Sequence, residues 1–416
     1  MFDWGAEQMS YYLGEELGEL LIITLNNAVE ATLAIILLVK CELRLLQTTI
    51  VGVVILHLLM IPGTAFLVDG MRVWQQELSE HSAELNHSLL LLGIMAILLP
   101  TAFFAALDRG YLNPTSGGFE PTLVNDSTRD ELLRMSRGLS VLLLIVYVCS
   151  RIFIHTTSAA AEKEKKTKEE PKAVASGQKA SMDSGQTLRH RGKSDEVYDE
   201  EKSIEGKGAS NEGEGEELAK EPAPRIGPGV CFLFLVLTVG LMAVTAEFLV
   251  ESVEFIRDES GIQQEWFGLI LLPNVSFAAD GVTAVVDYFW TMVPHLTGRK
   301  TQEPERVAKA RAIDLSIQFA LFWMPLLVLL GWWISKPMHL LFDYFELALL
   351  LGACFLVNYV TADAKTNWVE GLAMVVFYIM IAICAWFYPG QPEAAIMLTC
   401  PGSVAGALAT NVTGSG

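Results

Sequence analysis

Residues 22–39 read IITLNNAVEATLAIILLV, a run of bilayer-spanning length that nonetheless holds Asn26, Asn27 and Glu30. A hydrocarbon core about 30 Å thick is crossed by roughly 20 helical residues. A charge inside it costs at least ~2.5–3.5 kcal/mol even on the mildest insertion scale. A carboxylate placed at that cost is read as functional, and the rest of the chain is read for its partner.

The chain has 416 residues, of which 52% are hydrophobic, and its apolar runs place it among integral membrane proteins. Its first twenty residues, MFDWGAEQMSYYLGEELGEL, are acidic and polar. They lack the basic segment and cleavage site of a secretory signal, so the first spanning helix is expected to direct insertion. The six cysteines show no metal-ligand spacing. They are expected to pack as small side chains and to form neither a disulfide framework nor a zinc site. Residues 160–224 are dense in charges of both signs, 16 acidic against 12 basic, so they carry only −4 of the net −19 and read as solvated linker. An acidic chain of this kind is a poor nucleic-acid binder, and none is expected as a partner.

Nine stretches can each cross a bilayer: 17–39, 45–68, 88–108, 138–155, 229–254, 266–292, 312–334, 339–361 and 368–388. The chain then divides into a cytosolic N-terminal stub (1–16), an incomplete first transmembrane repeat (17–155) and a disordered charged linker (156–228). A second repeat (229–392) and a luminal tail (393–416) follow. The two halves echo one another. Each opens on Ala-Glu, at Ala6-Glu7 and Ala246-Glu247, and each reaches a small-residue pair before an acid, at Ala28-Val29-Glu30 and Ala278-Ala279-Asp280. The helix after each acid carries polar residues, Gln47 and His57 in one half and Asp314, Ser316 and Gln318 in the other. An odd number of helices between equivalent points sets the halves in opposite orientations, as in the inverted repeats of secondary transporters. The expected class is therefore an all-α integral membrane protein of four plus five helices.

The residue types suit a hard cation. Such ions take six to eight oxygens from carboxylates, amides and backbone. Asn27 and Glu30, three apart, share a helix face. Pro273 frees backbone carbonyls near Asp280. A desolvated carboxylate holds a proton more tightly when no metal is bound, so one group carries either ion. Competing readings stand beside this. A single intramembrane acid is often a helix–helix anchor. Asp314 is either a third polar wall or a packing acid. Glu7 and Glu247 either gate the path or lie in the lipid interface. His57 on an apolar face is more often a helix-contact residue than a ligand.

These segments resemble the calcium/cation–proton exchanger (CAX) family of vacuoles and bacteria. GELLIITLNNAVEATLAIILLVKCELRLLQTTIVG (18–52) resembles its first signature, Asn27 and Glu30 falling on the Asn and Glu of Gly-Asn-Ala-Val-Glu. EWFGLILLPNVSFAADGVTAV (265–285) resembles the second, where the family has Gly-Asn-Ala-Ala-Glu-His. The segment 358–390 and the apolar runs within 87–148 resemble further family segments, and the likeness covers nearly all of the chain outside the linker. It implies five-plus-five inverted helices after an extra first helix, an acidic cytosolic loop, and exchange of cytosolic Ca²⁺ for luminal protons.

This sequence departs from that pattern. Ser276 stands for Gly, Phe277 for Asn, Asp280 for Glu and Gly281 for His. Asn274, one turn before Phe277, is the replacement amide if there is one. Gly52-Val53 and Leu56-His57 stand where the family has Gly-Ser and Ser-Asn. Asp314-Leu315-Ser316-Ile317-Gln318 stands for Gly-Ser-Ser-Ile-Gln. The family's first two helices have no counterpart, which points to a truncated gene model or a reduced paralogue. Topology by this resemblance puts the N-terminus in the cytosol and the tail in the lumen. The loop 295–311, with Arg299, Lys300, Arg306, Lys309 and Arg311, is then cytosolic, in line with the positive-inside rule.

The expected function is thus H⁺-driven antiport of Ca²⁺ or a similar divalent cation across a vacuolar membrane, with no cofactor beyond the transported ions. Glu30 and Asp280 are the expected metal and proton sites, and Asn27, Ser316 and Gln318 the auxiliary ligands. Asn26, Asn274, Asp314 and Glu247 are secondary candidates. The alternative is a non-transporting paralogue that regulates a full exchanger, and association with itself or with such an exchanger is an expected mode of partnership. No nucleophile–base pair or H-E-x-x-H motif suggests an enzyme.

Overall fold

The computed structural model describes residues 2–70, 76–77, 80–110, 124–178, 227–278, 307–363, 365–400, 402, 404 and 406. The first half comprises α1 (Phe2–Leu13), α2 (Glu15–Asn26), α3 (Ala28–Lys40) and α4 (Leu43–Ile55), then a π-helical segment (Leu56–Met60) leading into α5 (Ile61–Gly70), α6 (Glu80–Gly110) and α7 (Asp126–Gln178). The second half runs through α8 (Pro228–Ser260), α9 (Gln264–Trp266), a π segment (Phe267–Leu271) and α10 (272–278). It continues with α11 (Val307–Gln318), a third π segment (Phe319–Trp323), α12 (Met324–Trp333), α13 (Tyr344–Val360), α14 (Trp368–Trp386) and α15 (Pro392–Met397). Two short strands, Gln76–Glu77 and Lys365–Thr366, pair antiparallel.

Among the described residues, six helices are long and apolar enough to cross a membrane, and the bent pair α2–α3 makes a seventh. Of the other expected spans, 339–361 holds the shorter apolar helix α13, and 266–292 is described only as far as 278. The burial pattern is that of a bundle solvated by lipid. The apolar windows of the spans 43–68 and 312–333 are 72% and 61% buried, whereas those of α7, α8 and α14 are only 22–28% buried. Leu142, Ile145, Phe232, Leu237, Leu241 and Ile383 are exposed on these outer helices. Such a belt is costly in water and ordinary in a bilayer.

Each π segment has the same local cause. Pro62, Pro273 and Pro325 follow the three segments by two residues. A proline inside a helix lacks the amide hydrogen and its ring collides with the carbonyl four residues back. Those carbonyls belong to Leu58, Leu269 and Leu321, and widening the turn there relieves the collision. The two halves cross closely at one of these places. A Cβ added to Gly52 would lie 2.7 Å from Pro273 Cγ, and one on Gly268 2.8 Å from Thr48 Cβ. Both positions therefore require glycine, as small-residue helix contacts in membranes do.

A buried ion network ties the halves together at one end of the bundle, and no sequence signal pointed to it. Arg44 Nη1 and Nη2 donate to the two oxygens of Glu346 (3.3 and 3.0 Å), Nη2 also reaches Asp343 Oδ2 (3.2 Å), and Nε reaches Glu265 Oε1 (3.4 Å). All four side chains are at most 10% exposed. Asp343 Oδ1 caps α13 through Phe345 N and accepts from Tyr388 Oη (2.6 Å), while Oδ2 accepts from Gln391 N. Close by, Gln47 Nε2 donates to the carbonyls of His339 and Leu341.

Two expectations change. Cysteines were read as packing residues, yet Cys41 and Cys400 form a disulfide, with Cα atoms 6.3 Å apart. A separation of 359 residues hides such a pair from any local spacing rule. The bridge ties residue 41, just after α3, to the C-terminal tail. In the denatured, unreduced protein, maleimide should label four cysteines (149, 231, 354 and 384), and after reduction all six. Six labels without reductant would disprove the bridge.

The N-terminal stub is helical. Ala6 and Gln8 of α1 are buried, α1 packs on α2 and α8, and the Gly5 carbonyl accepts from Cys231 Sγ. The linker was expected to begin disordered at 156, but α7 continues to Gln178. The spacings Glu162–Lys166 and Glu164–Lys168 favour helix there. In the tail, Met397 and Val404 pack with Phe104, Val124, Leu132 and Leu341 in a small apolar cluster.

Candidate functional site

The run 22–39 does not form one straight helix. It breaks at Asn27, where α2 and α3 meet at 52°. Asn27 has φ −86° and ψ 3°, off the helical ψ. A short amide side chain competes with the backbone for hydrogen bonds and is tolerated at such a break. The break starts a new helix inside the bundle, with Glu30 in its first turn. A helix N-terminus carries roughly half a positive charge, which favours a carboxylate there.

Five hydrogen bonds join the halves at this point. Asn27 Nδ2 donates to Gln318 Oε1 (2.8 Å) and to the Leu315 carbonyl (3.2 Å). Gln318 Nε2 in turn donates to Thr24 Oγ1 (2.8 Å) and Tyr147 Oη (3.0 Å). Ser276 Oγ donates to Glu30 Oε1 (3.2 Å). Glu30 is 4% exposed, and Asn27 is fully enclosed. Asn27 Oδ1 is buried with no hydrogen-bond partner among the described residues. A buried acceptor left open calls for an explanation, and a cation is one. Glu30, Asn27, Ser276 and Gln318 together concentrate oxygen donors of the kind hard cations take.

The remaining predicted residues are placed as follows. Ser316 is buried, and its hydroxyl donates back to the Ala312 carbonyl (3.3 Å). Asn274 Nδ2 donates back to the Ile270 carbonyl (2.7 Å) and across to Tyr378 Oη on α14 (2.6 Å). Asn26 and Asp314 are half-buried, and Glu247 is exposed on α8. Asp280 and Gly281 lie outside the described residues. Among those that are described, no group of three or more His, Cys, Asp or Glu is arranged to hold a metal.

Sequence reasoning missed Ser276, Thr24 and Tyr147 as parts of this network. Tyr147 was within reach, because a hydroxyl in the apolar run of α7 obeys the same rule that singled out Glu30. Ser276 was noticed only as a substitution for glycine.

The family described as sodium/calcium exchanger protein matches residues 5–155 and 230–387. The vacuolar calcium ion transporter of Cryptococcus neoformans var. grubii is 31% identical over 434 residues, covering 95% of this chain and 68% of the relative. The Ca²⁺/H⁺ antiporter of Synechocystis sp. is 29% identical over 384 residues, covering 92% and 86%. The solved structure of native YfkE superposes with a TM-score of 0.59 at 19% identity, covering 93% of this chain and 88% of the other, which speaks to the fold.

Proposed function

This chain belongs to the sodium/calcium exchanger protein family, and from that membership we propose that it is a secondary antiporter that moves cytosolic Ca²⁺ into an acidic vacuole against outgoing protons. It is a multi-pass membrane protein, its relatives are transporters, and nothing favours the non-transporting alternative. The observation that carries the reading is the meeting of the halves at the helix break: Glu30 with Ser276, and Asn27 with Gln318.

In this reading Glu30, together with Asp280 of the second half, holds either protons or Ca²⁺. Asn27 Oδ1 and Gln318 Oε1 supply neutral oxygens, and Ser276 orients the Glu30 carboxylate. Burial of Glu30 disfavours its bare carboxylate, so it is neutralised by a proton from the lumen or by a metal ion from the cytosol. Discontinuous helices such as α2–α3 let one half slide against the other around a fixed site, exposing it to one side at a time. Ca²⁺ and H⁺ are the cargo, and no further cofactor is invoked.

The test is uptake of ⁴⁵Ca into proteoliposomes with an acidic interior. Uptake should require the pH gradient, vanish when an ionophore collapses it, and alkalinise the interior as Ca²⁺ enters. Uptake indifferent to the gradient would overturn the proposal.

A further inference from the structure

On the outside of the bundle, α7 and α12 leave a groove between them. It holds about 400 Å³ and is walled by Val141, Leu144, Ile145, Val148 and Cys149 on α7 and by Leu329 on α12. Steps of three and four residues put Arg134 and Arg137 on the same face of α7 as Val141, Leu144 and Val148. An apolar groove thus runs into two arginines at one end. There the Arg137 guanidinium lies over the Trp332 ring, 4.9 Å from its centroid. Trp332 is one turn beyond Leu329, so this contact bridges the same two helices.

That end sits at a membrane face. Arg137 directly precedes the expected span 138–155, and Trp332 and Trp333, 56% and 85% exposed, close α12. Tryptophan collects at the headgroup level. From Arg137 to Cys149 is twelve residues, about 18 Å along a helix. One leaflet's share of a hydrocarbon core about 30 Å thick is a little less. The groove therefore spans one leaflet, its charge at the headgroups and its apolar length among the acyl chains. The charge is also uncompensated. Arg129, nearer the start of α7, pairs with Asp126 (2.8 Å). Arg134 and Arg137 make no ion pair among the described residues, and Arg137 Nε has no hydrogen-bond partner there. Stacking on the indole fixes the guanidinium plane and leaves its edge donors for an anion. Such a fork matches phosphate through two parallel hydrogen bonds. Basic pockets between membrane helices take anionic headgroups in this way. A sterol would leave both arginines unmatched, and a zwitterionic headgroup would bring its own cation against them. The same helix carries Tyr147, whose hydroxyl accepts from Gln318 and whose ring lies 5.3 Å from that of Phe322. A molecule seated in the groove braces the helix that reaches Gln318.

We propose that this groove is a binding site for one anionic phospholipid, with its phosphate on Arg137, Arg134 as the second cation and an acyl chain between α7 and α12. The test takes purified full-length protein in detergent. Thermal midpoints are followed with phosphatidylglycerol or phosphatidylcholine of identical chains, and native mass spectrometry counts retained lipid. Wild type should hold a single phosphatidylglycerol and gain a higher midpoint from it than from phosphatidylcholine. Arg137→Gln should weaken phosphatidylglycerol binding about tenfold or more, the size of a charge-assisted contact, and leave the response to phosphatidylcholine unchanged. Equal midpoints with the two lipids in wild type would mean an annular lipid only and would overturn the site. Unchanged phosphatidylglycerol affinity in Arg137→Gln would overturn it as well. So would a dimer mass with no retained lipid, because a second copy would then cover the groove. If Arg137→Gln does not fold, Ile145→Trp decides. It fills the groove and keeps both arginines, so phosphatidylglycerol binding as tight as in wild type would count against the proposal. None of these readouts involves Ca²⁺, so the antiport reading stands or falls separately.

Discussion

Replacing Glu30 by Gln is expected to abolish proton-driven Ca²⁺ uptake while leaving the protein folded. Glutamine has the size and shape of the native side chain, and its carbonyl can still accept from Ser276 Oγ, the contact seen at 3.2 Å. What disappears is the negative charge that binds the metal and the titratable oxygen that binds the proton. A hydrogen bond or ligand contact to a charged group is worth about 1.5–3 kcal/mol, or roughly ten- to a hundredfold in affinity. Loss of the exchangeable proton then removes coupling, so net uptake should fall by more than the binding term alone. Glu30→Asp keeps the charge but withdraws it by one methylene, and should fall between the two. ⁴⁵Ca uptake within about twofold of wild type in Glu30→Gln would remove Glu30 from the transport site.

The second large effect is structural. Arg44→Met should destabilise the protein by about 3–5 kcal/mol, the usual result of breaking a buried ion pair from one side. The reason is not the lost attraction alone. Glu265, Asp343 and Glu346 would be left buried together without their shared cation. Lowering the pH should narrow the deficit, because protons then neutralise those carboxylates in place of the guanidinium. Arg44→Lys should rescue only part of it, since one ammonium cannot reproduce the two-pronged contact with Glu346. Combining Arg44→Met with Glu265→Gln, Asp343→Asn and Glu346→Gln should recover most of the loss. Thermal melts in detergent at several pH values read all of these. An unchanged midpoint for Arg44→Met would show that the network adds no stability.

The two predictions mark where sequence reading worked and where it stopped. Glu30 and Asn27 were legible because a polar group in a bilayer-length apolar run is a local signal with a known cost. Gln318 was read as a polar residue on the helix after the second acid, but its pairing with Asn27, 291 residues away, came only from the fold. Ser316 was read in the same way, and its recorded hydrogen bond turns back onto its own helix. Arg44 sits at the edge of a span, where a basic residue ordinarily flanks the membrane, so nothing local set it apart. Its three partners lie 221 to 302 residues away. Cys41 and Cys400 are farther apart still.

From its residues alone the chain declared a helical membrane protein, built of two related halves, with a carboxylate and an amide at the core of the first. Hydropathy, periodicity and the solvation cost of buried charge act along the chain and survive without coordinates. Only the folded molecule decided that the signature run breaks at Asn27, that Ser276 serves Glu30, that one arginine holds three acids, and that Arg137 stacks on Trp332. Those outcomes depend on which helix faces meet across hundreds of residues, and that is set by the packing of the whole bundle.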